Sequence, residues 1–464
     1  MTNPFLSLDQ KIVGDSYTSP ELMENLTILC DDFGSRFGGT NGERLAAEFI
    51  QAKLVAYGLS DVRLEPVEYT GWSRGEAHFE IISPIRKTIP CITLPHSPPA
   101  ELEGTIIDLG EGSPDDFTHR ASEINGKVVM VNSEIHPGKT KRWVHRKEKF
   151  TRSTLAGATG FIFVNHYPGY GPATGGIGHN GQPALIPGIS ICKEDGAFIQ
   201  RLAKRHGPVT IRLVTTDRLS PMTSWNILGD LPGETFPEEI VMLGSHYDGH
   251  DIAQGAIDPA SGTVAVMEAA RVLSKYAAPL PRTIRFALWG IEEIGLLGSK
   301  AYVNSHTEDI KNIRFYLNMD AAGGDSPKDI NLHEWPELQA LFQGYQSAMA
   351  LDFVIGQAFH TASDHFPFIL AGVATGGIEP VRTVRTGRGY GHTHYDTVDK
   401  IQPSNLRAAA TLGARIALRV ASEENWHISH RSDADIASLL NRPDYRETQE
   451  LYRQLDAHYK DAAQ

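Results

Sequence analysis

A chain of 464 residues is too long for one hydrophobic core, and at about 150 residues per domain it implies two or three units. Apolar residues make up 41% and charged residues 21%, which excludes extended disorder. The formal charge of −13 argues against nucleic acid or an anionic membrane as partner, since both need a cationic face, and it suits a site that holds divalent cations.

The opening stretch "MTNPFLSLDQKIVGDS" lacks a basic start followed by an apolar core, and no run approaches the roughly 18 apolar residues of a membrane span. A cytoplasmic protein without membrane contact is expected. Cys30, Cys91 and Cys192 are widely spaced and odd in number, which fits reduced thiols better than a disulfide framework.

Residues 20 to 57 read as helix, interrupted by the Gly-rich break "FGSRFGGTNG". "GGTNG" within that break lacks the Lys-Ser/Thr ending of a phosphate loop and a preceding strand, so it is not one. "DVRLEPVEY" alternates as a strand does. Between 73 and 218 the texture changes to short β-like runs divided by Gly and Pro: "TIIDLG", "GKVVMVN", "TGFIFVN", "LIPGISI" and "VTIRLV". This pattern predicts a β-rich insert, and its loop "TGGIGHNGQPA" is a candidate for touching substrate because long Gly-rich loops beside sites often close over ligands.

An α/β rhythm follows. "IVMLGSH", "TIRFALWGIEE" and "IRFYLNMD" are apolar strand-like runs, each ending in His or a carboxylate. The first two are separated by the helical pattern "SGTVAVMEAARVLSKY", long enough for a parallel crossover. Parallel strands put their carboxyl ends on one edge, so His246, Glu292, Glu293 and Asp320 are expected to converge there. "NLRAAATLGARIALRVASEE" is a late amphipathic helix, and the charged tail after 425 reads as a helical, solvated appendage ahead of an oligomer contact. The predicted division is a catalytic domain over 1–72 and 219–425, an insert over 73–218 and a tail over 426–464.

Convergent His and carboxylates without Cys suit a hydrolytic zinc, manganese or cobalt site, because borderline cations accept imidazole and carboxylate together. The candidates are His246, Asp258, Glu292 or Glu293, Asp320, and one His of "GYGHTHYDTVDK". Charge balance favours two ions: three carboxylates and a hydroxide offset two divalent cations, whereas one ion would leave a buried anionic pocket. A spare Glu beside such a pair can act as a base.

"LEPVEYTGWSRGE", "GSHYDGHDIAQGAIDPASG", "LWGIEEIGLLGS", "NMDAAG", "SDHFPFILAGV" and "GHTHYDT" together resemble the co-catalytic zinc exopeptidases of the aminopeptidase Y and bacterial leucyl aminopeptidase type, closest to the carboxypeptidase Q-like branch. The blocks occur in the family's order over roughly residues 15 to 425. The resemblance implies a mixed, mainly parallel sheet flanked by helices, with the insert as a protease-associated domain, and two divalent ions, zinc first among them. It implies a peptide as substrate, an exopeptidase acting on short peptides or dipeptides with a free amino terminus, and admits a homo-oligomer. Many relatives are secreted.

Carried over residue by residue, the resemblance makes His246 and Glu293 ligands of different ions, with Asp258 bridging. Asp320 joins His246, and His392, selected over His394 by the pattern His-Thr-x-x-Asp-Thr, joins Glu293. Glu292 is the implied general base and Asp248 the carboxylate that orients His246. Two departures stand out. Pro259 follows Asp258 where the family often has Asn after a cis bond, and a cis Asp258–Pro259 is expected because proline lowers its cost to about 1 kcal/mol or less. Gly391 stands where many relatives carry an oxyanion-stabilising Tyr, leaving Tyr390, His365 and Tyr395 as candidate contacts.

Ordinary roles are expected elsewhere: His250, His306, His333 and His360 as surface or satisfied core residues, Asp251 and Asp364 as loop caps or outer partners. Three other readings compete with the exopeptidase: a glutaminyl cyclase-like transferase, an amino-acylase, and a non-catalytic peptide-binding protein on the same scaffold. Cyclases resemble a one-zinc version, so the pair His246 and Asp320 tells against the first, and the presence of every expected ligand tells against the last.

Overall fold

The computed structural model describes residues 3–133, 142–277, 279–383 and 389–462. By internal contacts the chain forms two units, one of Met1–Glu68, Thr223–Val384 and Asp396–Ile436, the other of Tyr69–Met222, Arg385–Tyr395 and Ala437–Gln464.

The first unit is built on β1 (Ser60–Ser73), β2 (Arg218–Leu231), β3 (Gly233–His246), β4 (Leu280–Trp289), β5 (Ile313–Asn318), β6 (Asp329–Asn331), β7 (Ile355–Gly356) and β8 (Thr375–Glu379). Their order across the sheet is β1-β2-β4-β3-β5-β8-β6-β7. The centre is parallel: β4 with β3, β3 with β5, and β5 with β8. Antiparallel β2 and β6 border it. The parallel centre is the one expected from the alternation of apolar runs and helical patterns, and the mixed sheet is the one the resemblance implies.

Both faces of the central strands are covered, which is why their sequences are apolar without a break. Val241 and Leu243 of β3, Phe286 and Leu288 of β4, and Phe315 and Leu317 of β5 enter one core with helices α1 (Ser261–Tyr276) and α3 (Pro403–Ala421). Met242, Ala287, Trp289 and Tyr316 point to the opposite side and meet Phe368 of the short helix α2 (His365–Leu370). Each fully buried Leu, Ile or Phe contributes about 1.5–3 kcal/mol, so a one-residue slip, which inverts the set, is strongly disfavoured.

Register then fixes where the polar residues emerge. His246 pairs with Trp289, and Gly244 pairs with Asn318, so the ends of β3, β4 and β5 share one edge. The crossover helix α1 starts against that edge. A Cβ on Gly262 would lie 1.8 Å from the Met319 carbonyl oxygen and 2.0 Å from that of Asp320, so this approach admits glycine alone.

In the second unit each of the five apolar runs forms a strand. Ala100–Asp108, Val128–Asn132, Gly160–Val164 and Gly188–Ile191 are mutually parallel neighbours, and Thr210–Thr215 pairs antiparallel with Ala100–Asp108. Helices Arg146–Leu155 and Lys193–His206 accompany them.

The tail corrects the sequence reading. It is not a solvated appendage: helix Pro443–Ala462 buries Leu451 and Leu455 and packs within the second unit. Glu447 meets Arg152 at 2.6 Å, Asp456 meets His179 Nε2 at 2.8 Å, and the Tyr459 hydroxyl donates to the Pro183 carbonyl at 2.6 Å. The charges that suggested solvent are partners for a basic helix and for the loop around His179. Residues 178–183 of the Gly-rich loop are therefore clamped by the tail helix. Among the described residues no helix is long and apolar enough to cross a membrane.

Candidate metal centre

His246 is the last residue of β3 and is buried. Its Nε2 lies 3.2 Å from Asp258 Oδ1 and 3.3 Å from Asp320 Oδ1. One ligand atom from each of the three falls within 4.8 Å of the others, a spacing that fits a single divalent ion. The Nδ1 side of the ring faces the Asp248 carbonyl oxygen at 3.0 Å, with the Asp248 carboxylate at 3.5 Å. A hydrogen bond there fixes the tautomer that leaves Nε2 free for a cation.

The Asp248 carboxylate has a second task. It accepts from the backbone N–H of Glu292 at 3.0 Å and of Glu293 at 3.3 Å, holding the turn after β4 next to the turn after β3. Adjacent glutamates diverge, so the turn offers two different carboxylates to two places. Glu293 Oε2 meets His250 Nε2 at 2.8 Å. His250, expected as an ordinary histidine, is thus a direct neighbour of a candidate ligand, which its solitary place in the sequence concealed. Burial, reinforced by Glu293 and Asp320 against the pull of His246, pushes the Glu292 carboxyl well above the usual range. Burial opposes the charged form of His246, yet Glu292 and Asp320 outweigh it and raise that imidazole well above its ordinary value. Such crowding of anions is what divalent cations discharge, so the donor set fits the two-ion site inferred from charge balance.

Asp258 sits in a short irregular turn with φ −124° and ψ 97°, and Asp258–Pro259 is cis, as expected. Two groups that sequence reasoning left without a role hold this turn. Asp396 accepts from Ile257 N at 2.7 Å and Asp258 N at 3.2 Å, and burial raises its carboxyl to about 7. Its signal was the Asp of "GHTHYDT", quoted for its histidine alone. Arg36, fully buried, donates to the carbonyls of Tyr247 and Gly255 at 2.9 and 3.0 Å and to that of Gln254 at 2.8 Å, bracing the loop between His246 and Asp258. No pattern in "FGSRFGG" announces that reach.

Asp364 is buried at the start of α2 and accepts from Ser299 Oγ at 2.5 Å, with burial raising it to about 7. His306 stacks on Tyr302 and faces Glu65 at 3.1 Å. The candidate oxyanion groups fall into different settings. Tyr390 stacks on Tyr170 at 4.7 Å and Tyr395 is exposed, both in the second unit. His365 is fully buried against His333 in the first.

His392 belongs to the segment that folds with the second unit. Its carbonyl accepts from Thr174 N at 2.8 Å, its Nδ1 lies 3.2 Å from the Thr174 carbonyl oxygen, and with Arg146 and Lys149 it lines an open cavity.

Residues 226–417 match Peptidase family M28, and residues 100–199 match the PA domain. Human carboxypeptidase Q is 27% identical over 407 residues, covering 86% of this chain and 85% of its own. The crystal structure of a peptidase M28 precursor from Shewanella amazonensis superposes with a TM-score of 0.78 at 24% identity, covering 92% of this chain and 98% of that one. That of a zinc aminopeptidase from Bacillus subtilis gives 0.67 at 23% identity, covering 85% and 93%.

Proposed function

From the premise that this chain is a metal-dependent exopeptidase of peptidase family M28 carrying an inserted PA domain, we propose that it hydrolyses dipeptides and short peptides next to a free amino terminus, with Glu292 as general base. The observation that carries this reading is the meeting of His246, Asp258 and Asp320 at one sheet edge, where Asp248 also ties down the backbone of Glu292 and Glu293.

In this reading His246 and Asp320 would hold one ion and Glu293 and His392 the other, with the Asp258 carboxylate available to both. Bound there, two divalent ions, zinc first among them, supply Lewis-acid activation of a water and of the scissile carbonyl. The protein does the rest. Asp248 keeps the His246 ring in one orientation and fixes the Glu292 backbone, so the base is placed before substrate arrives. Glu292 takes the proton from the attacking water and returns it to the leaving amine, a role matched to a carboxyl whose basicity is raised by burial. Asp396 and Arg36 hold the Asp258 turn and the loop behind it. A cytoplasmic location belongs to the same reading and is supported by three cysteines without disulfides.

The test is an assay of metal-loaded enzyme on free and amino-blocked dipeptides, with Glu292→Gln as control. Cleavage of free dipeptides, abolished by Glu292→Gln, is expected. Hydrolysis of the blocked compounds alone makes the protein an acylase, cyclisation of amino-terminal glutamine makes it a transferase, and full activity in Glu292→Gln removes the base assignment.

A further inference from the structure

We propose that His333, His360 and His365, together with Glu379, bind a further divalent transition-metal ion of the zinc type, with none of its ligands shared with the centre above. One nitrogen from each of the three imidazoles lies within 4.8 Å of the others. His333 Nε2 and His360 Nε2 are both 2.9 Å from the same oxygen, Glu379 Oε1. Their rings stand at 88° to one another and both Nε2 atoms donate to that one oxygen, so a cation that takes the place of their two protons meets two imidazoles and a carboxylate together.

The far side of two of these rings is already held. His333 Nδ1 lies 3.0 Å from Thr375 Oγ1, a hydroxyl that donates to Nδ1 while Nε2 donates to Glu379, and that can accept from Nδ1 once a cation takes Nε2. His365 Nε2 donates to the His360 carbonyl at 3.0 Å, which leaves the lone pair on Nδ1, and that nitrogen is buried with no hydrogen-bond partner among the described residues. A buried nitrogen in that state costs about 1–3 kcal/mol, and a cation removes the cost. Ligand atoms about 2.0–2.1 Å from a tetrahedral zinc are roughly 3.3 Å apart, so contacts of 2.9 Å need to open by only about 0.4 Å. His365 is stacked on His333 with centroids 4.0 Å apart, so one ring turns when both bind. Imidazole with one carboxylate is a donor set that zinc accepts and calcium or magnesium does not.

The sequence makes room for this. A Cβ on Gly377 would lie 2.3 Å from Glu379 Oε1, so the glycine lets the glutamate fold back over its own strand. The site ties the end of β8 and the turn after β6 to the segment that carries Asp364. Its role is to brace that segment, and its ligands lie far apart in the chain.

Counting zinc in the dialysed holoenzyme by elemental analysis tests this. Three ions per chain are expected in the wild type, two in His360→Ala and in Glu379→Gln, and one in Asp258→Ala, which removes the carboxylate shared by the other pair. Equal counts in wild type and both site variants overturn the proposal. So does a wild type with two ions and an Asp258→Ala with none, a pair of readings that needs no variant of the histidine cluster to fold. Retention of every ion by Asp258→Ala instead overturns the catalytic assignment and leaves the histidine site standing.

Discussion

Two clusters in the first unit invite comparison. Around His246 one imidazole faces Asp258 and Asp320, with Glu292 close enough to raise it, so the group is short of positive charge. Around Glu379 the proportion is reversed: three imidazoles gather about one carboxylate, which His360 and His333 hold well below its usual range despite its burial. An anionic cage attracts a pair of cations and suits hydrolysis. An imidazole cage with fixed outer partners suits a single ion that holds structure. Similar donor atoms on one sheet thus serve different ends because their charge balance differs.

The largest expected effect separates the two directly. Asp258→Ala should abolish turnover, a loss beyond the 10–100-fold typical of an outer partner, measured as kcat on a free dipeptide, while His360→Ala leaves the first cluster's ions in place. Asp396→Ala touches no proposed ligand atom. It frees the Asp258 turn and should weaken zinc retention by about 10–100-fold in a chelator titration, with Asp396→Asn between it and the wild type. Arg36→Leu orphans several buried carbonyls and should lower stability by about 1–3 kcal/mol for each one left unpaired, read from denaturant midpoints. Glu447→Ala lies in the second unit, on a half-exposed ion pair, and should change stability by less than about 1 kcal/mol without altering zinc content.

The first cluster was legible in the sequence and the second was not, and the reason is geometric. His246, Glu292 and Asp320 each follow an apolar run that could only be a buried strand, and parallel strands place their ends together whatever the loops do. The loop-borne contacts carry no such signal. His250 reaching Glu293, Asp396 capping the Asp258 turn, and Arg36 gathering carbonyls all depend on loop paths that periodicity does not encode. His333 and His360 lie outside regular strands and read singly as isolated histidines, and only the pairing of β6 with β8 on one side and β7 on the other brings them to Glu379. The tail misled for another reason: helix Pro443–Ala462 carries eight charged residues and only two leucines, yet Leu451 and Leu455, one helical turn apart, supply a buried face.

The central claim is that residues from distant stretches meet as a cage for two cations beside a base. An anomalous-diffraction map of crystals of the zinc-loaded protein tests it most directly. The account predicts one peak within bonding distance of His246 Nε2, Asp258 and Asp320, and a second shared by Asp258 and Glu293. A fully loaded, active enzyme with no peak at Asp258 would contradict it.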